Sequence, residues 1–596
     1  MAQTQLESAQ RIGSLFPKLT FMLDQGKQFG PRIGRLCLTR PSDTPSNHII
    51  NIRTPNFLIG TSRGVIPHFS RDHVHSANGI SWINVPFESF LEQSPPIPTY
   101  QPGSQPLHTF LGFDTSKHIV SLSLRDPLDA REMPANGNAH VSASCMRGVR
   151  KVTPADWRSY VLTMQPDIAF ALCDTPFTAA PHSQKRLVKS IERSAAWLAD
   201  LLRPVENTTD DSPAPTLNVF VHMAGGTSTS ARRAFSQSLM ESLHGLEANA
   251  VKPLLCLDEG VAGYAFDLAA FHVRPVPLSH SDRGGGIEIA ENSLVLQNSE
   301  SLAQTSTPDA AGTPTSLSSS IIEPLSSLSL SPTLDELLRA SLDPLPIAKP
   351  RLVTDVRSPH EILRLIRDIG VDVFDAGWAV KAADIGIALD FIFPVPSGHD
   401  SGPDYRKREI GHNLYDAKYA HDFVSLTNAF LAGHDTTSSS EAPVCPCIAC
   451  SPVAPTSPIH HSRIDVQSHQ ADTDDDTSRE QFLPPFTRAY LHHLLHTHEM
   501  SAHTLLVAHN VAILDALLTG VRTILSGYDD QNEAAAVFSR EVTRFEEVYD
   551  GAMSVFHTAR DNWKEVKYAR GKGRLAREAQ KDKDVRSVHS TEVEVQ

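Results

Sequence analysis

Short apolar runs alternate along this chain with longer segments in which apolar side chains return every three or four residues. The short runs include TLNVFVHM, KPLLCL, PRLVTDV and VDVFDA, and they predict β-strands of four to eight residues. The longer segments include SQKRLVKSIERSAAWLADLL, SARRAFSQSLMESLHGL and SPHEILRLIRDIG, and they predict amphipathic helices. Strands that alternate with helices favour a parallel sheet. Periodicity alone leaves open whether this sheet is open or closes into a barrel.

Three segments break the pattern because they contain few apolar side chains. Residues 204–216 form a short polar linker, residues 281–341 are rich in Ser and Thr, and residues 451–480 are rich in Ser, Thr, Asp and Pro. Such compositions cannot bury enough surface to offset the entropy lost on ordering. We therefore predict that 281–341 and 451–480 are disordered insertions.

Composition limits the classes of protein that fit. The chain has 596 residues, 40% of them hydrophobic, and a formal net charge of −15. It has no uninterrupted run of 18 apolar residues and no apolar or Arg-rich leader pattern, so we predict no transmembrane segment. Few, clustered cysteines suit a reducing compartment, which predicts a cytoplasmic protein. Residues 564–583 hold eight basic and three acidic side chains, typical either of a phosphate-binding segment or of a solvated helix end and tail.

Three of the seven cysteines fall within six positions, in Cys445-Pro-Cys447-Ile-Ala-Cys450. Three thiols at this spacing cannot all bond one another, but they can converge on one tetrahedral metal ion. Thiolates together with one imidazole suit Zn²⁺, and four protein ligands close its coordination sphere. The sequence therefore predicts one structural zinc ion per chain.

The fourth ligand of this predicted site is open from the residues alone. Between Cys450 and His509, which stands in LLVAHNV, the candidates are His460, His461, His469, His492, His493, His496, His498 and His503. His492 and His496 have the i, i+4 spacing of a helix face that can bind metal, although such histidines are more often packed or solvated. Setting aside 451–480 leaves a spacing that suits a compact site, with His509 at the start of a new helix.

With that insertion set aside, the segment reads CPCIAC, then FTRAYLHHLLHTHEMSAHTLLVAHNV, and it resembles the C-terminal zinc segment of the tRNA-guanine transglycosylases, the queuine tRNA-ribosyltransferases. Residues 342–356, 358–375 and 413–423 resemble further family segments in family order, and residues 165–200 match more loosely. The resemblance implies that His509 is the fourth ligand.

The resemblance also implies the fold: an α/β chain with a (β/α)8 TIM-type barrel and a C-terminal zinc-binding subdomain. Residues 1–280 would form the N-terminal part of the barrel and 342–424 its C-terminal strands, on either side of the insertion 281–341. Residues 425–565 would form the zinc-binding subdomain around the insertion 451–480, and 566–596 a charged tail.

Members of the family use a carboxylate at a strand end to attack the ribose of a tRNA guanosine, and a 7-deazaguanine base then displaces the enzyme. Asp375, in GVDVFDAGWAV, falls on the position of this nucleophile. The family continues with Pro-Thr-Arg, whereas residues 377–380 here are Gly-Trp-Ala-Val, so the arginine is missing. The base-recognising carboxylate of the family is replaced by Cys173, and Asp174 could substitute only after a one-residue slip that turns it to the other face.

Further family elements of the base pocket are also changed. The paired glycines that let a flat base approach the backbone are replaced by Phe266 and Asp267, and residues 222–226 read HMAGG where the family has VQGG. Residues 80–91 offer no clear counterpart of the segment next to the proton-transfer aspartate. Together these changes predict a dismantled base pocket inside a retained barrel, with Asp375 as a relic of the nucleophile position and no catalytic residue.

This pattern fits a non-catalytic accessory subunit that pairs with a catalytic paralogue in a heterodimer. The enzyme would exchange guanine for queuine at the wobble position of tRNAs with GUN anticodons. The partners implied are the catalytic subunit and tRNA, and the location implied is cytoplasmic, with peripheral association with the mitochondrial outer membrane. Two alternatives stay open: an active transglycosylase that uses Asp375 as nucleophile, and a zinc-bearing scaffold unrelated to queuine.

Overall fold

Eight parallel strands close into a barrel in the order of the chain, each hydrogen-bonded to the next and the last to the first. The computed structural model describes residues 16–40, 48–77, 79–129, 133–175, 181–205, 217–272, 333–396, 407–427, 430, 444–452 and 483–564. Most of the barrel lies before residue 273, and its last two strands follow residue 333. The barrel geometry answers the question that periodicity left open.

The strands of the barrel are β4 (Asn56–Gly60), β5 (Trp82–Pro86), β6 (Ile119–Ser123), β9 (Ile168–Phe170), β10 (Val219–His222), β11 (Val261–Asp267), β12 (Arg351–Thr354) and β13 (Val373–Asp375). An antiparallel sheet contains β1 (Lys18–Gln25), β2 (Ile33–Arg40) and β3 (His48–Thr54), and two antiparallel pairs contain β7 (Val141–Cys145) with β8 (Gly148–Val152) and β14 (Ile387–Leu389) with β15 (Gly411–Asn413).

The helices before the last two barrel strands are α1 (Arg71–Ser76), α2 (Pro106–Leu111), α3 (Pro154–Met164), α4 (Gln184–Leu202), α5 (Thr229–Met240), α6 (Gly245–Ala250), α7 (Ala269–His272) and α8 (Leu334–Leu342). Later helices are α9 (Pro359–Asp368), α10 (Gly377–Asp384), α11 (Arg488–His496), α12 (Met500–Ser526) and α13 (Gln531–Val548). Local signals set several starts: Ser183 caps α4, and Ser358 followed by Pro359 begins α9.

The antiparallel sheet β1–β3 covers the end of the barrel where the strands begin. Leu36, Leu38 and Ile52 pack into one cluster with barrel residues such as Trp82 and Phe220. Buried ion pairs tie the sheet to the strands: the Nε of Arg32 lies 2.9 Å from an oxygen of Asp372, just before β13, and Arg40 pairs with Asp167, just before β9. This end is therefore closed, and the opposite end forms the barrel mouth.

Helix α12 crosses the C-terminal part of the structure and packs against α10, α11 and α13. By length and composition it is the one helix of the described residues that could cross a membrane, with a mean hydropathy of 1.6 over its most apolar window. However, 67% of that window is buried inside the structure. Its apolar surface is thus accounted for by the core.

Several sequence-based expectations can now be compared with the structure. The predicted (β/α)8 barrel is confirmed, and VDVFDA, PRLVTDV and TLNVFVHM supply β13, β12 and β10. The prediction for KPLLCL is wrong: residues 252–256 form turns and bends, with Leu255 72% exposed, and Leu257 begins a 3-10 helix. The neighbouring β11 takes the barrel position. Residues 334–341 belong to α8 rather than to the predicted insertion, and the insertion 451–480 lies almost wholly outside the described residues.

Candidate metal centre and barrel mouth

The three cysteines and His509 meet at one buried point between the last barrel helices and α12. Cys445, Cys447 and Cys450 are 1%, 7% and 5% exposed, and His509 is fully buried. Their four potential ligand atoms lie within 4.8 Å of one another. Of the residues that the structure describes, these form the one group of three or more His, Cys, Asp or Glu side chains that could hold a metal ion.

The spacing of the ligand atoms fits a tetrahedral ion. The Nδ1 of His509 lies 3.7 Å from the Sγ of Cys445, 3.8 Å from that of Cys447 and 3.5 Å from that of Cys450. For bonds of about 2.3 Å to sulfur and about 2.1 Å to nitrogen, a tetrahedral angle separates sulfur from nitrogen by roughly 3.6 Å. The site therefore has the size that a zinc-type metal ion requires.

The second ring nitrogen of His509 fixes which nitrogen faces the cysteines. Its Nε2 donates a hydrogen bond to the carbonyl of Leu389, at 2.8 Å, which leaves the lone pair on Nδ1 for a metal. The adjacent Asn510 is fully buried; its Nδ2 donates to the carbonyls of Ala379 and Ile387, and its Oδ1 accepts from the backbone of Leu389. Asn510 thereby connects α12, the helix that carries His509, to the barrel. The sequence pattern His-Asn did not by itself predict this role.

A tight turn brings the cysteines together. The carbonyl of Cys447 accepts hydrogen bonds from the backbone of Cys450 and Ser451, and the N–H of Cys450 points at the Sγ of Cys447, at 3.3 Å. Burial raises the pKa of the Cys445 thiol well above its ordinary value. Burial disfavours a thiolate at all three sulfurs, although hydrogen bonds from the other thiols and from His509 lower the pKa of Cys447, and a bound cation would offset the cost of burial.

Of the alternative histidines, His492, His496 and His503 bond elsewhere, whereas His460, His461 and His469 lie outside the described residues. His492 and His496 do lie on one face of α11, but their rings hydrogen-bond to the carbonyls of Leu414 and Tyr415. His503 meets the carbonyl of Ala383. His509 lies inside α12, which begins at Met500, so the expectation that it starts a new helix is wrong.

At the barrel mouth, Asp375 ends β13 and is 2% exposed. One carboxylate oxygen accepts from the backbone N–H of Gly377, at 2.7 Å, and the other from that of Val356, at 3.3 Å. A Cβ atom on Gly377 would lie 2.5 Å from Asp375 and 2.6 Å from the side chain of Leu128, so this corner is tightly filled. Burial, assisted by the charge of Asp355, raises the pKa of Asp375 to about 7. From the position before the N-cap, Ala376, Asp375 therefore accepts from the first backbone N–H of α10.

A network of ion pairs joins the loops that follow the last three strands. Asp355 meets the ring of His272, at 3.2 Å, and the Nζ of Lys381, at 3.6 Å. The other ring nitrogen of His272 lies 2.9 Å from Glu361. Burial lowers the pKa of His272, but the hydrogen bonds to Asp355 and Glu361 outweigh it and raise that pKa to about 9. His272 is thus a cation that holds these loops together, which sequence reasoning did not identify.

The position at which the family resemblance expects the base-recognising carboxylate follows β9, and it is Cys173 in this chain. The polar side chains beside it also make contacts within the fold. Strand β9 ends at Phe170, and Asp174 is fully buried between Arg186 and Arg193, at 2.8 and 3.0 Å. Burial raises the pKa of the neighbouring Cys173 thiol. Asp174 therefore serves to anchor α4.

The other altered positions divide between the two sides of the barrel wall. Phe266 packs in the helix-facing core, whereas Ala265 packs in the barrel interior, so Phe266 does not fill the mouth. Asp267 ends β11, and burial raises its pKa to about 7. Within residues 80–91, Glu88 is the titratable group that the sequence analysis missed: burial raises its pKa to about 7, and it accepts from the backbone of Asp126 and Ser144.

Fold and site together define a TIM-type barrel protein with a buried Cys3His cluster, able to hold a metal ion, near its C-terminal end. The family model described as queuine tRNA-ribosyltransferase matches residues 28–259 and 320–539, and the chain belongs to this family. The protein named queuine tRNA-ribosyltransferase accessory subunit 2 from Schizosaccharomyces pombe is 23% identical over 85% of this chain and 80% of its own length. A protein with the same name from Ixodes scapularis is 23% identical over 79% of this chain and 89% of its own length. The one from Homo sapiens is 22% identical over 81% of this chain and 90% of its own length.

Proposed function

We propose that this chain is the non-catalytic accessory subunit of a heterodimeric queuine tRNA-ribosyltransferase, which exchanges guanine for queuine in tRNA. Its relatives carry the name accessory subunit 2, and that name supports a catalytic partner subunit and tRNA as the substrate of the complex. The proposed location is cytoplasmic, with peripheral association with the mitochondrial outer membrane.

The burial of Asp375 is the observation that carries the non-catalytic role. A nucleophile must present its oxygen to the reacting carbon at about 3 Å in an open pocket. Here both oxygens of Asp375 accept backbone hydrogen bonds, and the residue is 2% exposed. A pKa near 7 also leaves a substantial fraction of the carboxyl groups protonated at neutral pH, which weakens the group as a nucleophile.

The metal centre would serve the structure of the chain rather than its chemistry. Cys445, Cys447, Cys450 and His509 would bind one zinc ion per chain, and four protein ligands leave no position for substrate or water. Zinc would therefore stabilise the C-terminal subdomain and take no part in base exchange.

The decisive experiment measures incorporation of labelled base into a tRNA that has guanosine at the wobble position. The purified chain alone should give no detectable exchange, and its mixture with the catalytic paralogue from the same source should form a heterodimer that is active. Asp375→Ala in this chain should leave turnover of the heterodimer nearly unchanged. Robust exchange by the chain alone, abolished by Asp375→Ala, would restore the enzymatic alternative.

A further inference from the structure

The hairpin formed by β7 and β8 has a charge opposite to that of the chain as a whole. Residues 141–152 contain three cationic side chains and no Asp or Glu, while the full chain carries −15. Arg147, Arg150 and Lys151 are all exposed. Two apolar side chains beside them, Met146 and Val149, are 59% and 44% exposed. The hairpin therefore offers a basic and partly apolar surface to solvent.

Hydrogen bonds place the base of this hairpin at the barrel mouth. The N–H of Ser144 donates to Glu88, at 3.0 Å, and the Nε of Arg125 donates to the carbonyl of Ser142, at 2.7 Å. Glu88 and Arg125 follow the carboxyl ends of β5 and β6. The hairpin thus rises from the side of the barrel where β5 and β6 end.

A fourth cation extends the same surface. The Nε of Arg150 donates to the carbonyl of Leu91, at 3.3 Å, and Arg63 meets the side chain of the next residue, Glu92, at 3.7 Å. Arg63 lies in the loop after β4, and its side chain is 54% exposed. We name the set Arg63, Arg147, Arg150 and Lys151 the basic rim.

We propose that the basic rim binds the phosphate backbone of RNA and so helps to position tRNA on the heterodimer, an inference that rests on the proposed function above. Arginine and lysine side chains supply most of the affinity for phosphates, and that affinity is independent of sequence. On a chain with a strongly negative net charge, a local surface that is basic and contains no carboxylate of its own is a region where RNA can approach. Its place at the barrel mouth suits a substrate that must reach the partner's active site while it is held here.

The test uses the heterodimer with its catalytic paralogue and full-length tRNA. In the double variant Arg147→Gln and Lys151→Gln, two charges are removed while the Arg150 contact to Leu91 is kept. The matched control is Lys18→Gln with Arg35→Gln, which removes two exposed charges from β1 and β2 at the closed end of the barrel. Fluorescence anisotropy measures tRNA affinity at several salt concentrations, and size-exclusion chromatography measures heterodimer formation.

We expect the rim variant to bind tRNA roughly tenfold more weakly, with the slope of log affinity against log salt reduced by about 1 to 2. The KM for tRNA should rise while kcat stays close to that of the wild type, and the control should match the wild type. Unchanged affinity and salt slope in an intact, active heterodimer would refute RNA binding by the basic rim and leave the proposed function standing. Loss of the catalytic partner with unchanged tRNA affinity would instead make the rim a protein interface. Failure of the wild-type chain to form an active heterodimer would refute the proposed function itself.

Discussion

The first turn of one short helix, α10, contacts both the barrel mouth and the metal centre, and the polar side chains of these two regions differ in whether they bond within the fold or remain available. At the start of α10, the carboxylate of Asp375 accepts a hydrogen bond from the backbone N–H of Gly377, so it is used within the fold. Further along, the carbonyl of Ala379 accepts from Asn510, next to His509, whose Nδ1 is left facing three cysteines. Ligand atoms at the metal centre remain directed at a common point, whereas polar groups at the mouth bond to one another.

This difference separates two uses of polar residues within one barrel. Burial of Asp355, Asp375 and Asp267 without a substrate is tolerated because backbone N–H groups and the His272 cation satisfy them. The Cys3His cluster differs because its three sulfurs and the Nδ1 of His509 face one another, an arrangement that a bound cation would satisfy. A subunit that keeps the barrel and this cluster, but whose polar groups at the mouth bond to one another, can still serve as a partner without performing base exchange.

The largest effect should come from the metal ligands. Cys447→Ala removes one of four ligands, so the protein should lose its metal, and the C-terminal subdomain should lose stabilisation on the order of 10 kcal/mol. Elemental analysis of the purified protein should find about one zinc per chain in the wild type, and thermal unfolding should show the lost stability. If the purified wild-type protein contained no zinc, the Cys3His cluster would not be a metal site, and its difference from the barrel mouth would disappear.

The sequence could predict the metal centre almost completely, and for a physical reason. Metal ligation requires particular side-chain types at short spacing, so three cysteines within six residues predict a metal site. The mouth was predictable only as a set of losses from the family pattern. What replaced the base pocket, such as the His272 cation between Asp355 and Glu361, depends on long-range contacts for which the sequence carries no local signal.

The element boundaries illustrate the same limit. The strands of VDVFDA and PRLVTDV were predictable because a short apolar run bounded by helices suits a buried parallel strand. KPLLCL is also a short apolar run, but it forms turns. The following run, Val261–Asp267, takes the strand position because it pairs with β10 and β12. Which of two adjacent apolar runs enters a barrel is decided by closure of the whole sheet.

The second largest effect should come from Asn510, which connects the metal centre to the barrel. Asn510→Ala leaves two buried carbonyls and one buried N–H without their partner, at a cost of about 3 kcal/mol. Metal content should remain at the wild-type value because the ligands are unchanged. Denaturant unfolding measures the loss, and Asn532→Ala on the exposed start of α13 is the matched control, expected within about 0.5 kcal/mol of the wild type. An Asn510→Ala variant as stable as the control would mean that the two regions are not coupled through this side chain.

The third prediction concerns the pH dependence of the mouth. The folded-state pKa of Asp375, about 7, lies above its unfolded value of about 3.9, so the favourable contribution of the protonated carboxyl is complete below about pH 4 and is lost as the pH rises through 7. Asp375→Asn cannot ionise. Its stability relative to the wild type should therefore increase between pH 5 and pH 8, by an amount on the order of 2 kcal/mol.

Melting temperatures of the wild type and Asp375→Asn across this pH range test the sign. Asp267, Glu88 and further carboxyl groups also have raised pKa values, so the wild-type curve alone would mix several groups. The difference between the two proteins isolates Asp375. A difference that stays constant from pH 5 to pH 8 would mean that Asp375 is already ionised in the fold across this range, as an active nucleophile would be.

The smallest effect should come from His496, the alternative ligand that the sequence left open. Its Nε2 lies 3.2 Å from the carbonyl of Tyr415, and its ring packs edge-on against that side chain on the exposed face of α11. His496→Ala should retain full metal content and lose about 1 kcal/mol or less, the range of a single hydrogen bond near the surface. His509→Ala, measured in parallel, should lose the metal, because its Nδ1 is the atom that completes the four-ligand set. Retention of zinc in His509→Ala with loss in His496→Ala would reverse the assignment and place the metal on the face of α11, away from the helix that Asn510 ties to the barrel.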